Sequence, residues 1–177
     1  MIDTLDSVFQ DLDPDENFFN EMYCGGSKNS LCYFIETYNQ IFRSKNNLKI
    51  FHSNIRSYNA NCDHFHSILN SLSSIPDVVC LTETWFNSDS IDMHGFTGFN
   101  SYHTIRPNLE RGGGVSVFVR NQVKSSKLCE FLICNNTIET CAVKVSLQFF
   151  DLIIFSIYKT HSDNTENFTN LLKFIVP

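Results

Sequence analysis

The chain has 177 residues, 42% of them apolar, enough for one domain with a real core, which excludes a disordered polar chain. Its net charge is -6, with 13 Lys and Arg against 19 Asp and Glu. That balance argues against a broad basic face for nonspecific nucleic-acid binding, although a small basic groove would suffice for a nuclease.

The acid is concentrated at the start. Asp3, Asp6, Asp11, Asp13, Asp15, Glu16 and Glu21 all precede the first basic residue, Lys28, leaving 12 acidic against 13 basic residues after it. Residues 1–46 therefore read as an acidic, partly disordered extension. One helix in it would place Leu31, Phe34, Ile35 and Tyr38 on one face. An acidic opening is not a secretory signal, and no apolar run approaches the ~18 residues of a membrane span. The seven cysteines are odd in number and form no C-x-x-C pair. They fit reduced thiols of an intracellular protein, nuclear or cytoplasmic.

A denser pattern opens at Leu48. "LKIFHSN" reads as a strand. "NANCDHFHSILNSL" puts Phe65, Ile68, Leu69 and Leu72 on one helical stripe, with Asn61 or Asp63 as the candidate cap. "SSIPD" breaks the helix. "VVCLT", Val78 to Thr82, is apolar enough to be a strand covered on both faces. Strand, helix and strand over about 35 residues form a βαβ unit with parallel neighbouring strands.

Further along, "GFTGFNSYHTIR" reads as a strand and "RGGGVSVFVRNQV" as a glycine turn feeding another. "FLICNNTIETCAVKVSL" reads as two strands about an Asn-Asn turn, and "QFFDLIIFSIY" pairs back on "CAVKVSL" as a hairpin. "SDNTENFTNLLKFIVP" predicts a helix over 163–175, capped by Ser162, with Phe168, Leu171, Leu172 and Ile175 on one face. A βαβ opening followed by antiparallel strands suggests a mixed, mostly antiparallel sheet of the α/β (α+β) class.

Chemistry in such sheets collects at strand ends. Asn54, Glu83 and Tyr158 each end a strand, and parallel pairing would bring Asn54 and Glu83 to one edge. A carboxylate there is a good ligand for a hard cation. Alone, each residue is weak evidence, because an acid at a strand end is more often a helix cap or a solvated loop charge. Trp85 serves equally well as plain packing. No Gly-Lys-Ser/Thr follows the three glycines, which removes a P-loop reading.

Taken together and in order, "HSNIRS", "PDVVCLTETW", "RGGGVSVFV" and "IYKTHSDNTENF" resemble the opening half of the endonuclease/exonuclease/phosphatase superfamily. Within it they resemble most the apurinic-type endonuclease domains of non-LTR (LINE-like) retrotransposons. The likeness runs over about residues 47–175. It implies a four-layer α/β-sandwich of the DNase-like type, truncated to about its first mixed sheet with flanking helices. It implies residues 47–177 as the N-terminal half of such a domain. It also implies Mg²⁺ (or Mn²⁺), a DNA partner, no membrane, and a reverse-transcriptase region downstream in a full-length element.

By the same resemblance Glu83 is the metal ligand, and Asn54 lies near the attacking water and metal. Tyr158 touches the scissile phosphate, and Arg56, Arg111 and Lys159 contact substrate. The chain departs from the pattern where relatives read Tyr-Arg-Pro-Pro, having Tyr158, Lys159, Thr160 and His161. It also lacks the Gly-Asp-Phe-Asn and Ser-Asp-His segments that supply the general base. The expectation is a truncated nicking endonuclease, inactive as it stands, with the inner face of its sheet exposed. The alternatives are another phosphoesterase of the same superfamily and a noncatalytic interaction module.

Overall fold

A computed structural model describes residues 39, 48–88, 91, 95–106, 112–135, 137–160 and 169. The expected extension, apart from Asn39, and the expected helix over 163–175, apart from Thr169, lie outside the described residues.

β1 (Ile50–Asn54) and β2 (Val78–Thr82) are parallel neighbours, in register from Ile50 opposite Val78 to Asn54 opposite Thr82. The crossover is α1 (Tyr58–Ser71), which buries Phe65, Ile68 and Leu69, with Leu72 just past its end, as the periodicity predicts. Its cap is Ser57, whose hydroxyl accepts from the Ala60 amide at 3.4 Å. Neither expected cap holds. Asn61 lies inside the first turn, where its amide donates to the carbonyls of Ile55 (2.9 Å) and Arg56 (3.1 Å), and Asp63 falls later still. The polar run "RSYNANCD" offers several cap types, and only the chain's entry angle selects among them.

β2 is buried at every position. β4 (Val115–Arg120) runs antiparallel to it, and β3 (Phe99–Thr104) pairs on the far side of β4, giving the order β1-β2-β4-β3. A second, antiparallel sheet holds β5 (Lys124–Lys127), β6 (Ile138–Ser146) and β7 (Asp151–Lys159) in that order. The β6–β7 hairpin is in register from Ile138 opposite Lys159 to Ser146 opposite Asp151, as expected.

Two readings need correction. "FLIC" is no strand. A 3-10 turn, Cys129–Phe131, and one bridge, Cys134 to Glu139, replace it. Side chains capture the backbone there: Asn135 Oδ1 accepts from Thr137 and Ile138, and Thr140 Oγ1 bonds Ile133 N and Phe131 O. β5 is the strand that was missed, because "KSSK" is a polar edge with no apolar alternation.

The α/β class and the DNase-like layering hold, and the chain supplies more than a first sheet. The β6–β7 hairpin stacks on the first sheet instead of joining it. The strands sort their side chains by parity. Phe51, Val79, Leu81 and Phe118 face α1, where Phe96 and Phe118 meet with ring centroids 4.3 Å apart. Val78, Cys80, Val115, Val117 and Val119 face Cys141, Val143, Val145 and Ile154 of the second sheet. Small β-branched side chains suit the ~10 Å gap between stacked sheets.

The expected exposed inner face is therefore reduced to one side of the sandwich. A cleft of 460 Å³ opens between Ile50, His52 and Cys80 and the edge of β7 from Leu152 to Ile157. Ile50 and Ile153 remain 43% and 47% exposed beside it.

Among the described residues no helix is long and apolar enough to cross a membrane. The five described cysteines are free thiols.

Phe118 is fully buried at the centre of the helix-side core. Phe118→Ala should lower unfolding free energy by about 3–5 kcal/mol, read from urea denaturation. A loss below about 1 kcal/mol would mean that this face of the sheet is not packed as described.

Candidate functional site

The strand ends carry unusual backbone. Arg56, Ser57, Glu83 and Trp85 all have positive φ (44°, 85°, 53° and 56°), and all four lie just past β1 or β2. Each such residue costs on the order of 1–3 kcal/mol unless its surroundings enforce it. Hydrogen bonds enforce it from two sides. Toward β1, Ile55, Ser57 and Tyr58 donate to the carbonyls of Thr82, Glu83 and Thr84 at 3.0, 2.8 and 3.0 Å. Toward β4, Thr84 and Trp85 donate to Gly114 and Gly113 at 3.2 and 2.9 Å. The ladders thus continue beyond the formal strands and turn Glu83 out of the core.

Gly113 and Gly114 hold backbone that other residues adopt only with strain, with φ of 68° and 87°. A Cβ on Gly114 would sit 2.7 Å from Thr84 Oγ1, and one on Gly113 would collide with Glu139 and Arg106.

Glu83 is half-buried. Asn54 Nδ2 donates to its Oε1 at 3.2 Å and Tyr158 Oη donates to the same oxygen at 2.8 Å. Among the described residues no donor reaches Oε2. Asn54 is fixed in turn, because its Oδ1 accepts from the Arg56 amide at 3.2 Å. Three residues from three strand ends, two on one sheet and one on the other, therefore meet at one carboxylate oxygen.

Burial raises the Tyr158 pKa, and the hydrogen bond to Glu83 and that group's charge raise it further. The protonated hydroxyl thus contributes stability in full below pH about 10, and the contribution is lost as pH rises through the raised value.

Of the other expected site residues, Arg56 is exposed on the β1–α1 loop. Lys159 follows Tyr158 on β7, opposite Ile138, so its side chain alternates to the other face. Arg111 lies outside the described residues.

Two residues escaped the sequence reading. Glu139, on β6, is fully buried. It accepts from the Gly114 amide and pairs with Arg106 Nε, whose side chain is 21% exposed. Glu139 is also the direct cross-strand neighbour of Tyr158. Burial works against the Arg106 charge, but the bond to Glu139 and that group's charge outweigh it and raise the pKa.

One carboxylate oxygen with an open partner suits Mg²⁺, which keeps several waters and uses one or two carboxylates plus substrate phosphate. Among the described residues no group of three or more His, Cys, Asp or Glu could enclose an ion. The donor set is thus compatible with an open Mg²⁺ site and unlike an all-protein cage.

A family model described as the Endonuclease/Exonuclease/phosphatase family matches residues 44–143, more than half of the chain. The chain belongs to the endonuclease/exonuclease/phosphatase family. Among solved structures, this family member is similar to the endonuclease domain of TRAS1, a telomere-specific non-LTR retrotransposon, with a TM-score of 0.51 and 11% identity over 72% of this chain and 52% of that one. At that identity the likeness is one of fold. The catalytic domain of Xenopus laevis APE2 gives a TM-score of 0.46 and 20% identity over 71% and 50% of the two chains. The 3' phosphatase NExo from Neisseria, bound to product DNA hairpin, gives 0.41 and 16% over 60% and 40%. The chain spans about half the length, or less, of these structures. Comparison with curated proteins returns no significant match.

Alkaline titration followed by tyrosinate absorbance should lose a late step in Tyr158→Phe. Tyr58, pushed up to about 12 by burial and then by Cys62, should remain as a late step in the variant. Loss of a step near the ordinary tyrosine value instead would mean that the Tyr158 hydroxyl does not hold Glu83 in solution.

Proposed function

We propose that this chain carries the metal-and-phosphate half of a retrotransposon-type endonuclease site, whose reaction is hydrolysis of a DNA phosphodiester bond with Mg²⁺ or Mn²⁺. The observation that carries the reading is the meeting of Asn54, Glu83 and Tyr158 at one carboxylate oxygen. Family membership and the TRAS1-like fold support it.

In this reading Glu83 holds the cation. A cation there stabilises charge on the phosphate oxygens and the leaving group. Asn54 orients the Glu83 carboxylate and stands beside the attacking water. The Tyr158 hydroxyl donates its one proton to Glu83 Oε1 here, and in this reading it turns from that oxygen to donate to a phosphate oxygen bound beside the carboxylate. Arg56, Arg111 and Lys159 are proposed as cations along the DNA backbone, where phosphate contacts fix position more than sequence. The domain starts near residue 47, with residues 1–46 as an extension and a reverse-transcriptase region as the expected companion.

In-line attack also needs a base to activate water. Of the four described histidines, His66 bonds Tyr58 and His103 bonds Ser116, and His52 lines the cleft beside β7. The bonds to the Glu83 carboxylate come from Asn54 and Tyr158 and from none of the four, His64 included. We therefore infer that these residues alone nick DNA very slowly, and that the base comes from sequence outside them. A second reading, a noncatalytic interaction module, is favoured by the apolar cleft beside β7.

Two measurements on this chain and its Glu83→Gln variant test the proposal. Mn²⁺ binding by EPR should be at least about tenfold weaker in Glu83→Gln, and neither protein should nick supercoiled plasmid above an EDTA control. Equal Mn²⁺ binding by both would overturn the metal role and favour the interaction module. Mg²⁺-dependent nicking that disappears in Glu83→Gln would keep the family chemistry and overturn the inferred inactivity.

A further inference from the structure

We propose that buried Glu139 and its partly exposed partner Arg106 form a positioning clamp for the Glu83 carboxylate, acting through the Gly113–Gly114 turn. The proposal rests on the reading of Glu83 as a metal ligand and extends it to residues that never touch the ion.

The path is continuous and short. Glu139 accepts from the Gly114 amide with one oxygen and from Arg106 Nε with the other. The carbonyls of Gly113 and Gly114 accept from Trp85 and Thr84. Those two residues follow Glu83 directly, and Trp85 shares its left-handed backbone. On the other side, Glu139 sits beside Tyr158 on the second sheet, and Tyr158 holds the Glu83 carboxylate itself. Two adjacent side chains of one sheet thus act on the Glu83 segment of the other, Glu139 through the glycine turn and Tyr158 directly at the carboxylate.

The fit leaves no slack. Gly113 has no room for a methyl group because Glu139 Oε1 and Arg106 Nε already occupy the space. The turn cannot move toward the pair, and the hydrogen bond from Gly114 keeps it from moving away. Residues that orient a metal ligand in this indirect manner typically change metal affinity about 10–100-fold when altered.

The test uses the full chain with Mn²⁺ as probe, Trp85 emission as the report on the turn, and circular dichroism as the control on folding. Trp85 is the only tryptophan, so its emission has one source. Glu139→Gln keeps the shape and an acceptor for Gly114 but loses the charge opposite Arg106. Gly113→Ala leaves every charge in place and displaces the turn by its methyl group. Both should weaken Mn²⁺ binding about tenfold or more and alter Trp85 emission while the fold signal is unchanged. Arg106→Lys retains a cation beside Glu139 and should stay within about threefold of wild type, a rescue that simple loss of packing would not give.

Wild-type affinity in folded Glu139→Gln or Gly113→Ala overturns the clamp, and so does a loss in Arg106→Lys equal to that in Glu139→Gln. If Glu139→Gln fails to fold, Gly113→Ala carries the test. If wild type itself shows no Glu83-dependent Mn²⁺ binding, the metal reading fails and the clamp is judged separately by Trp85 emission in Glu139→Gln and Gly113→Ala. Altered emission in both with circular dichroism unchanged supports the clamp, and wild-type emission in either folded variant overturns it.

Discussion

A carboxylate that follows a fully buried strand has to leave the core within one residue. Here the backbone does so by turning left-handed at Glu83 and again at Trp85. L-residues resist that conformation, so the turn persists only because main-chain hydrogen bonds hold it from β1 on one side and from the glycine turn before β4 on the other. The same bonds decide where the carboxylate points. Three features that looked separate in the sequence, the Asn-Ile-Arg-Ser loop, the Thr-Glu-Thr-Trp segment and the Gly-Gly-Gly turn, form one hydrogen-bonded unit.

That unit needs the second sheet. Tyr158 reaches Glu83 across the sandwich, so the spacing of the layers sets the 2.8 Å contact between them. The buried members of the inter-sheet core are valine, cysteine and one isoleucine, with Tyr102 and Tyr158 partly buried at its margin, whereas the buried aromatic residues crowd the α1 side. Larger side chains between the sheets would separate the two halves of the site. An overpacking substitution at Val117 or Val143 would thus act on the site as well as on stability. Packing and function are coupled through one distance.

The β1–α1–β2 unit was legible because it obeys two simple periods. The 3.6-residue stripe from Phe65 to Leu72 and the unbroken apolar run at Val78–Leu81 leave few alternatives. β5 was not legible, since "KSSK" has no apolar alternation; it is held by the backbone edge of β6 and by bonds of Ser125 to Tyr102 and of Lys127 to the His103 carbonyl. Ser57 was missed as the cap because several neighbours have the same capping chemistry. The site divides in the same way. Asn54 and Glu83 followed from parallel pairing, a local inference. The contact of Tyr158 with Glu83 spans 75 positions; the family resemblance placed Tyr158 at the phosphate but did not suggest that contact. Glu139 gave no signal at all. In "TIETCAVKV" it reads as an outward polar residue of an alternating strand, and its partner Arg106 lies 33 positions away in a loop.

Glu139 nevertheless has the least ordinary environment in the domain. Removing a carboxylate and a guanidinium from water costs several kcal/mol per ion, and their mutual attraction often does no more than offset it. A well-packed apolar pair would serve stability as well. What an apolar pair cannot do is accept a hydrogen bond from the Gly114 amide while holding a cation in a fixed direction. The pair is better understood as fixing a geometry than as stabilising the sheet. It lies where the glycine turn, the Tyr158 strand and the Glu83 loop come together, and under the proposed reading, in which Glu83 holds the cation, the position of that carboxylate has to be fixed by the residues behind it. A metal site of the proposed kind would have to be made rigid from behind, and an ion pair with both carboxylate oxygens committed is a way to do that within a β-sandwich.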